Sequence, residues 1–338
     1  MVVPVLNGQD TIGACLDSIL ELDYPTFEVI VVDDGSTDKT SEIITSYPVK
    51  KAFGKHAGAY GARNFGIGIA TGEIVAFTDS DCVVSKEWLK KLVKAYASDL
   101  VGGVGGLVLP QRAESTVGKF VSLSPQEIFQ SSRRVELPQR ESLFMTSGLG
   151  SGNMSFRRRV LGELKGFAGD MVKCGDYELS WRVQRAGYQL VYEPEAVTYH
   201  KPRSTLSKLV VQLFEFGMSQ PELLKKQQDG YSYFELKSYL FRPLGFRCRL
   251  PFQMLITVDL FNLAVLGLVL MIFFPILVYV AIPCCVMIAW YALRSWSEAL
   301  KARSLRLLLA FPFLHVIRSY TVVAGRIVGG IRCGVLSV

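Results

Sequence analysis

The chain has no G-x-x-x-x-G-K-S/T run and no G-x-G-x-x-G, so the ATP and dinucleotide readings of an alternating α/β sequence have no support. Its seven cysteines, Cys15, Cys82, Cys174, Cys248, Cys284, Cys285 and Cys333, include no C-x-x-C pair and no metal-finger spacing. They fit reduced thiols in a cytosolic domain, with a few more in a membrane segment. No signal peptide opens the sequence, since Met1-Val2-Val3-Pro4-Val5 begins almost inside a strand. Acid is in deficit, leaving a formal net charge of +7 over 338 residues. The excess Lys and Arg cluster beside an apolar C-terminal tail, where the positive-inside effect accounts for them, and no nucleic-acid partner is expected.

What is present is a repeated pattern of apolar runs that stop in acids. Val2 to Leu6 reads as a strand, followed by Asn7-Gly8 and a helix to Leu20 capped by Asp10 or Thr11, with Ile12, Leu16, Ile19 and Leu20 on one face. Phe27 to Val32 is a second strand, buried on both faces, ending in Asp33-Asp34-Gly35-Ser36-Thr37-Asp38 and a helix to Ser46. Val49 to Phe53 is a weaker third strand. Gly58 to Asn64 leads into a helix that Gly72 caps at its C-terminus. The run Ile74-Val75-Ala76-Phe77 then stops in Thr78-Asp79-Ser80-Asp81. Alternating β and α elements of this kind predict a Rossmann-like, mostly parallel sheet. Ligands of such sheets sit at the C-terminal edge of the strands. Two acids one residue apart at that edge suit one hard cation, Mg²⁺ or Mn²⁺, although a lone D-x-D is more often an acidic turn.

Further on, Lys86 to Tyr96 predicts a helix and Val101 to Leu109 a glycine-rich strand, the first departure from strict alternation. Short helices are expected near Val117 to Phe120 and Gln126 to Arg134. Thr146 to Arg158 reads either as a substrate loop or as a plain glycine loop entering a strand. A helix starts at Cys174-Gly175-Asp176 and stops at Gly187, with Asp176 as an N-cap or first-turn acid. Leu190 to Tyr192 and Ala196 to Tyr199 read as two short strands ending in His200, and a lone His there is more often structural than a ligand.

The C-terminal third differs in kind. Leu206 to Phe216 is amphipathic and ends near Gly217, while Tyr231 to Leu250 mixes aromatics with Lys237, Arg242, Arg247 and Arg249, a composition suited to lipid headgroups. Phe252 to Leu293 is apolar almost throughout, about twice the ~20 residues one crossing needs, and predicts two transmembrane helices joined near Pro275. Leu307 to Ile331 reads as a third crossing or as a re-entrant or interfacial segment, because it contains His315, Arg318 and Arg326 and an arginine at the bilayer centre costs at least ~2.5 kcal/mol. The expected organisation is a catalytic domain over 1–204, interfacial amphipathic helices over 205–250, and a membrane region of two to three helices over 251–338.

The ordered series Val3-Pro4-Val5-Leu6-Asn7, Val32 to Asp38, Ala62-Arg63-Asn64, Asp79-Ser80-Asp81 and Gly175 to Arg182 resembles the family-2 glycosyltransferases, which share the GT-A fold. The resemblance covers roughly Val2 to Arg203, and the tail looks like that of membrane-bound members acting on lipid-linked acceptors. It implies a nucleotide-sugar site with Pro4, Asn7, Asp34, Arg63, Asp79 and Ser80 near the donor, Asp34 on the base and Asp79 facing the ribose. It also implies Asp81, with His200 as a second candidate, holding Mg²⁺ or Mn²⁺ on the donor diphosphate, Arg203 nearby, and Asp176 as catalytic base. The family places a second acid just before that base, where this chain has Gly175. Gly152, Asn153, Met154, Trp181 and Arg182 are the expected acceptor loop.

The chemistry agrees with these residue types. A cation stabilises charge on a departing diphosphate, and one carboxylate taking one proton implies inversion at the anomeric carbon. Family members that make long polymers carry Q-x-x-R-W after the base; its absence favours a single-transfer, hexosyltransferase-type enzyme. The expected partners are a nucleotide-sugar donor, a lipid-linked (polyprenyl-type) or membrane-proximal glycan acceptor, and the lipid bilayer. The chain would be a multi-pass protein of the cell membrane with its catalytic domain cytoplasmic. The competing reading is a non-catalytic, nucleotide-sugar-binding scaffold subunit of a membrane glycan-assembly complex, since fold alone does not establish activity.

Overall fold

Each apolar run of the N-terminal third becomes a strand, and each intervening amphipathic stretch a helix covering the sheet. The structure is a computed structural model that describes residues 1–54, 56–123, 133–137, 148–227, 231–237, 244–249, 254–259 and 305–337, together with 293, 296 and 300. Its contacts divide the chain into two units, Met1–Gln111 with Gln126–Arg140 and Phe144–Lys201, and Arg112–Pro125 with Glu141–Leu143 and Pro202–Val338.

The first unit opens with β1 (Val2–Val5), α1 (Ile12–Leu20), β2 (Ile30–Asp33), α2 (Thr40–Thr45), β3 (Lys50–Phe53), α3 (Gly58–Ile69) and β4 (Ile74–Phe77). The strands lie in the order β3-β2-β1-β4, all parallel, with Val5 opposite Asp33 and Val2 opposite Phe77. Every residue of β1 and β2 is buried, as expected of parallel strands covered on both faces. Ile12, Cys15, Leu16 and Ile19 of α1 join Val3, Val5 and Val31 in that core. Because β1 is followed by a neighbour on one side and flanked by β4 on the other, the connections leaving β1 and β4 diverge. A crevice at such a switch point is where ligands enter an open α/β sheet.

The sheet continues through β5 (Cys82–Val84), α4 (Trp88–Lys94), β6 (Val101–Pro110), α5 (Thr116–Leu123), β7 (Val135–Glu136), β8 (Met154–Arg157), α6 (Arg158–Glu163), α7 (Gly175–Arg185) and β9 (Gln189–His200). β8 enters antiparallel between β4 and β6, β9 runs parallel to β6, and β5 pairs antiparallel with β9 at the far edge. Helix α5 is assigned to the second unit.

Several local expectations are corrected. Thr11 occupies the N-cap position of α1, but its hydroxyl donates to the Gly8 carbonyl, 3.3 Å, and no side chain caps the helix. Gly72 is not the cap of α3: the helix ends at Ala70, which is extended, and the Glu28 carboxylate takes the N–H groups of Thr71 and Gly72. The two short strands expected between Leu190 and Tyr199 are one strand, β9, whose register against β6 shifts between Gly106 and Leu107. Most of the helix expected over Gln126 to Arg134 lies outside the described residues.

The second unit contains α8 (Leu206–Gln227), β10 (Tyr231–Lys237), β11 (Leu244–Arg249), β12 (Met254–Asp259), α9 (Leu305–Cys333) and β13 (Leu336–Ser337), with the strands ordered β11-β10-β12-β13. Gly217 does not end α8; it is where α9 passes, and a Cβ there would lie 2.3 Å from the Val322 carbonyl oxygen. The segment expected as interfacial helices over 231–250 is strand wherever it is described. So is Met254–Asp259, the described part of the tract expected to form two transmembrane helices; the remainder of that tract to Leu293 lies outside the described residues apart from Leu293 itself. No helix among the described residues is long and apolar enough to cross a membrane. In α9, the expected third crossing, Arg326 is buried and its Nε donates to Gln220 Oε1 of α8.

Candidate active site

The site begins with the acids at the strand ends. Asp33 and Asp34, at the end of β2, are buried, and both are engaged by backbone N–H groups. Asp33 Oδ1 accepts from Ser36 N at 2.8 Å, which closes the acidic turn. Asp34 Oδ1 accepts from Ala57 N at 3.0 Å and Oδ2 from Gly58 N at 2.8 Å, so this carboxylate seats the N-terminus of α3 beside the sheet edge. Asn7, in the left-handed region at φ 51°, accepts from Thr37 N at 2.9 Å, while its own N–H donates to Ser36 Oγ. The loops after β1 and β2 are thus stapled together. Pro4 lies inside β1 opposite Val32, and the ladder to β4 is the single pair Val2↔Phe77, so its missing N–H breaks no bond on that side. The ring of His56, a residue with no local motif to single it out, lies against Gly35, where a Cβ would come within 2.1 Å of its Cε1.

Helix α3 then carries two side chains one turn apart toward the other acids. Arg63 is buried, and its Nη2 donates to Asp79 Oδ1. Its guanidinium also lies 5.3 Å from the centre of the Tyr60 ring. Tyr60 is buried as well, and its hydroxyl donates to Asp176 Oδ1 at 3.2 Å. Asp176, in the first turn of α7 and 7% exposed, also accepts from Tyr177 N at Oδ1 and from Ser151 N at Oδ2, 2.9 Å. Burial holds its carboxyl above the usual carboxylate range, with the N–H of Ser151 and the charge of Arg63 opposing that shift.

The loop before β8 meets both acids. Ser151 bonds Asp176, and a Cβ on Gly152 would lie 3.3 Å from Asp79 Oδ2. Gly152 O also accepts from the buried Thr78 hydroxyl, 3.1 Å. Asp79 and Asp176, far apart in sequence, therefore flank one short loop and one face of α3.

Asp79, Asp81 and Cys82 bring one ligand atom each within 4.8 Å of one another. His200 Nε2 lies 3.5 Å from Asp81 Oδ2, placed there by the β5–β9 pairing of Cys82 with His200 and by Lys201 N donating to the Asp81 carbonyl. Burial and the neighbouring acids push the Cys82 thiol up, so it stays protonated and is a poor ligand. Two carboxylates and an imidazole that leave positions for water and a diphosphate fit Mg²⁺ or Mn²⁺. Ser80, between the two acids, is half-buried beside Gly8.

Part of the expected acceptor loop is corrected, because those side chains hold the fold. Asn153 is 1% exposed; its Oδ1 accepts from Trp88 Nε1, and its Nδ2 donates to the Leu107 and Ala196 carbonyls. Met154 is fully buried in β8. Arg182 pairs with Glu178 and donates to the carbonyls of Leu164 and Gly166. Trp181 is half-buried and stacks with Arg185, which leaves its expected role as it was. Asn153→Ala should leave one indole N–H and two carbonyls unpaired in the interior. An expected cost of about 3 kcal/mol or more would appear in urea denaturation.

Acids at a parallel-sheet switch point, with a buried carboxylate at the start of α7 that shares the Ser151-Gly152 loop with Asp79, suit a glycosyltransferase of the GT-A fold that takes a nucleotide-sugar donor. Residues 1–165, just under half of the chain, match the model described as Glycosyl transferase family 2. Glycosyltransferase AglE of Haloferax volcanii is 28% identical over 231 residues, 65% of this chain and 72% of that protein. Poly-beta-1,6-N-acetyl-D-glucosamine synthase of Staphylococcus epidermidis is 26% identical over 225 residues, 64% of this chain but 53% of the synthase, so the match spans about half of that relative's length. In fold, the chain is similar to the mannosyltransferase PcManGT of Pyrobaculum calidifontis, solved with GDP-Man and Mn²⁺, at a TM-score of 0.55 and 19% identity over 97% of this chain and 85% of that one.

Proposed function

We propose that this glycosyltransferase is inverting and metal-dependent and moves one sugar from a nucleotide-sugar donor to a lipid-linked or membrane-proximal glycan acceptor. The observation that carries the reading is the loop Ser151-Gly152, which adjoins the candidate base Asp176 at one residue and the donor-side acid Asp79 at the next.

Asp34 and Asn7 shape the edge where the nucleotide enters, and Arg63 orients Asp79 toward the ribose. Asp79, Asp81 and His200 would hold the divalent cation, whose chemistry is to neutralise charge on the departing diphosphate. Asp176 accepts the proton of the attacking hydroxyl as the bond to the anomeric carbon forms on the face opposite the diphosphate. A carboxyl raised by burial is a stronger base than an exposed one.

The membrane-side acceptor rests on the basic, apolar C-terminal sequence and on α9. Leu309, Phe313, Tyr320, Ile327 and Ile331 are all exposed and, at about 100° per residue, fall within about 40° of one another. The helix contains no acid and four arginines, of which Arg326 is buried against α8, a charge balance that suits an anionic lipid surface. On this reading the chain works at the cytoplasmic face of the cell membrane.

The test is release of nucleoside diphosphate from a panel of nucleotide sugars, with Mn²⁺ and with chelator, followed by the anomeric configuration of the product. Cation-dependent release with inversion is expected. Release that ignores chelator, or product with retained configuration, would sink the reading.

A further inference from the structure

We infer that Tyr60 is the positioning residue of the base, standing where the family pattern places a second acid and selecting Asp176 Oδ2 as the oxygen that takes the acceptor proton. This rests on the reading of Asp176 as the base.

The first observation is steric. Gly175 precedes Asp176, and a Cβ built there would lie 2.8 Å from Tyr60 Cε2 and 2.9 Å from both Cδ2 and Cζ. The phenol ring fills the space that any side chain at 175 would need, so the missing acid and the tyrosine are two sides of one arrangement.

The second is the distribution of hydrogen bonds. Asp176 Oδ1 accepts from both the Tyr60 hydroxyl and Tyr177 N, which occupies both of its lone pairs. Oδ2 accepts only Ser151 N among these groups and keeps capacity toward the loop that adjoins Asp79. Tyr60 is a fixed donor: burial and the charge of Asp176 hold its phenol well above its ordinary pKa, so it does not compete for the proton.

The third is rigidity. The Tyr60 ring stacks on Phe167 at 5.5 Å, beside the Arg63 guanidinium, on the helix whose N-terminus Asp34 seats and whose Arg63 holds Asp79. Helix α3 therefore sets the distance between the donor-side acids and the base. The charged and titratable groups around this pair are Arg63 of α3 and Cys174 just ahead of α7.

Tyr60→Phe keeps the ring and removes only the hydroxyl. The full-length enzyme should melt within a few degrees of the parent and keep its KM for the donor, while kcat falls about ten- to a hundredfold. Losing a donor to the ionised carboxylate raises the Asp176 pKa further, so the acid limb of the kcat profile should move to higher pH. An unchanged limb and kcat, or a loss confined to KM, would overturn the assignment while Asp176→Asn remains inactive. Should Asp176→Asn itself stay active, the base reading fails first and takes this assignment with it. If Tyr60→Phe does not fold, Gly175→Ala supplies the second arm. It should lower kcat by displacing the ring, and full activity with an unshifted acid limb in that variant would overturn the proposal.

Discussion

Asp176→Asn should abolish sugar transfer while leaving the donor bound: kcat is expected to fall by about 10²–10⁴-fold, with nucleotide-sugar affinity within a factor of two or so of the parent. The amide keeps the shape of the carboxylate. Its oxygen still accepts from Ser151 N, and its NH₂ group can donate to the Tyr60 oxygen once that hydroxyl turns. The Tyr177 N–H loses its acceptor at this position, and the capacity to take a proton is gone. The same substitution carries a stability signature of opposite sign. Because the folded-state carboxyl is raised by burial, its ionised form is disfavoured in the native protein. Its contribution is most favourable below the unfolded pKa of about 3.9 and is lost as pH rises through the higher folded value. At neutral pH the variant should therefore melt higher than the parent, by roughly 2–4 °C per kcal/mol recovered, and the gain should vanish in acid. Calorimetry at two pH values, beside single-turnover transfer kinetics, checks both statements. A melting temperature that drops at neutral pH would mean that the ionised carboxylate is a net support of the fold, contrary to the burial argument.

Asp81→Ala should produce the complementary pattern. Removing this carboxylate leaves Asp79, already engaged by Arg63, and the imidazole of His200 as the remaining strong candidates to hold a cation. A bound cation on a diphosphate is worth several kcal/mol, so donor affinity in Mn²⁺ should fall about a hundredfold or more. The residual affinity should no longer respond to chelator. The fold should survive, because the backbone of Asp81 still accepts from Lys201 N and Cys82 keeps its place opposite His200. Titration of nucleoside diphosphate with and without Mn²⁺ measures this directly. Equal loss of donor affinity in the Asp81 and Asp176 variants would remove the division of labour between the two acids.

Much of the first unit was legible because its signals are local. A continuous apolar run ending in acids predicts a buried strand and its loop, and β1, β2 and β4 lie where those runs are. The C-terminal tract is less legible. Apolar length suits a spanning helix, but it does not distinguish one from a strand, and Met254–Asp259, which with Leu293 is the described part of the tract, pairs with β10 and β13. Gly217 and Gly72 read as helix stops, yet one is a close helix contact and the other lies beyond the helix end, where Glu28 takes its N–H together with that of Thr71. Glycine reports that space or torsion is needed, without saying by what. Asn153 and Met154 sat in a plausible loop sequence; whether they turned outward or inward depended on Trp88 and β6, which nothing near them encodes.

The β-α alternation was enough by itself to determine a mostly parallel, Rossmann-like sheet, because strand period, apolar runs and turn chemistry are written in neighbouring residues. The nucleotide-sugar reading came from the resemblance of the ordered acids to the family-2 glycosyltransferases. Only the tertiary structure decided that Asp176 is held by Tyr60, 116 residues away, that Gly175 is small because of that ring, and that the loop carrying Ser151 and Gly152 reaches both acids. Those facts follow from β8 entering antiparallel beside β4 and from the first turn of α7 meeting Tyr60 of α3. Long-range pairing of that kind is chosen by the whole sheet burying its faces together, and no local stretch of sequence specifies it.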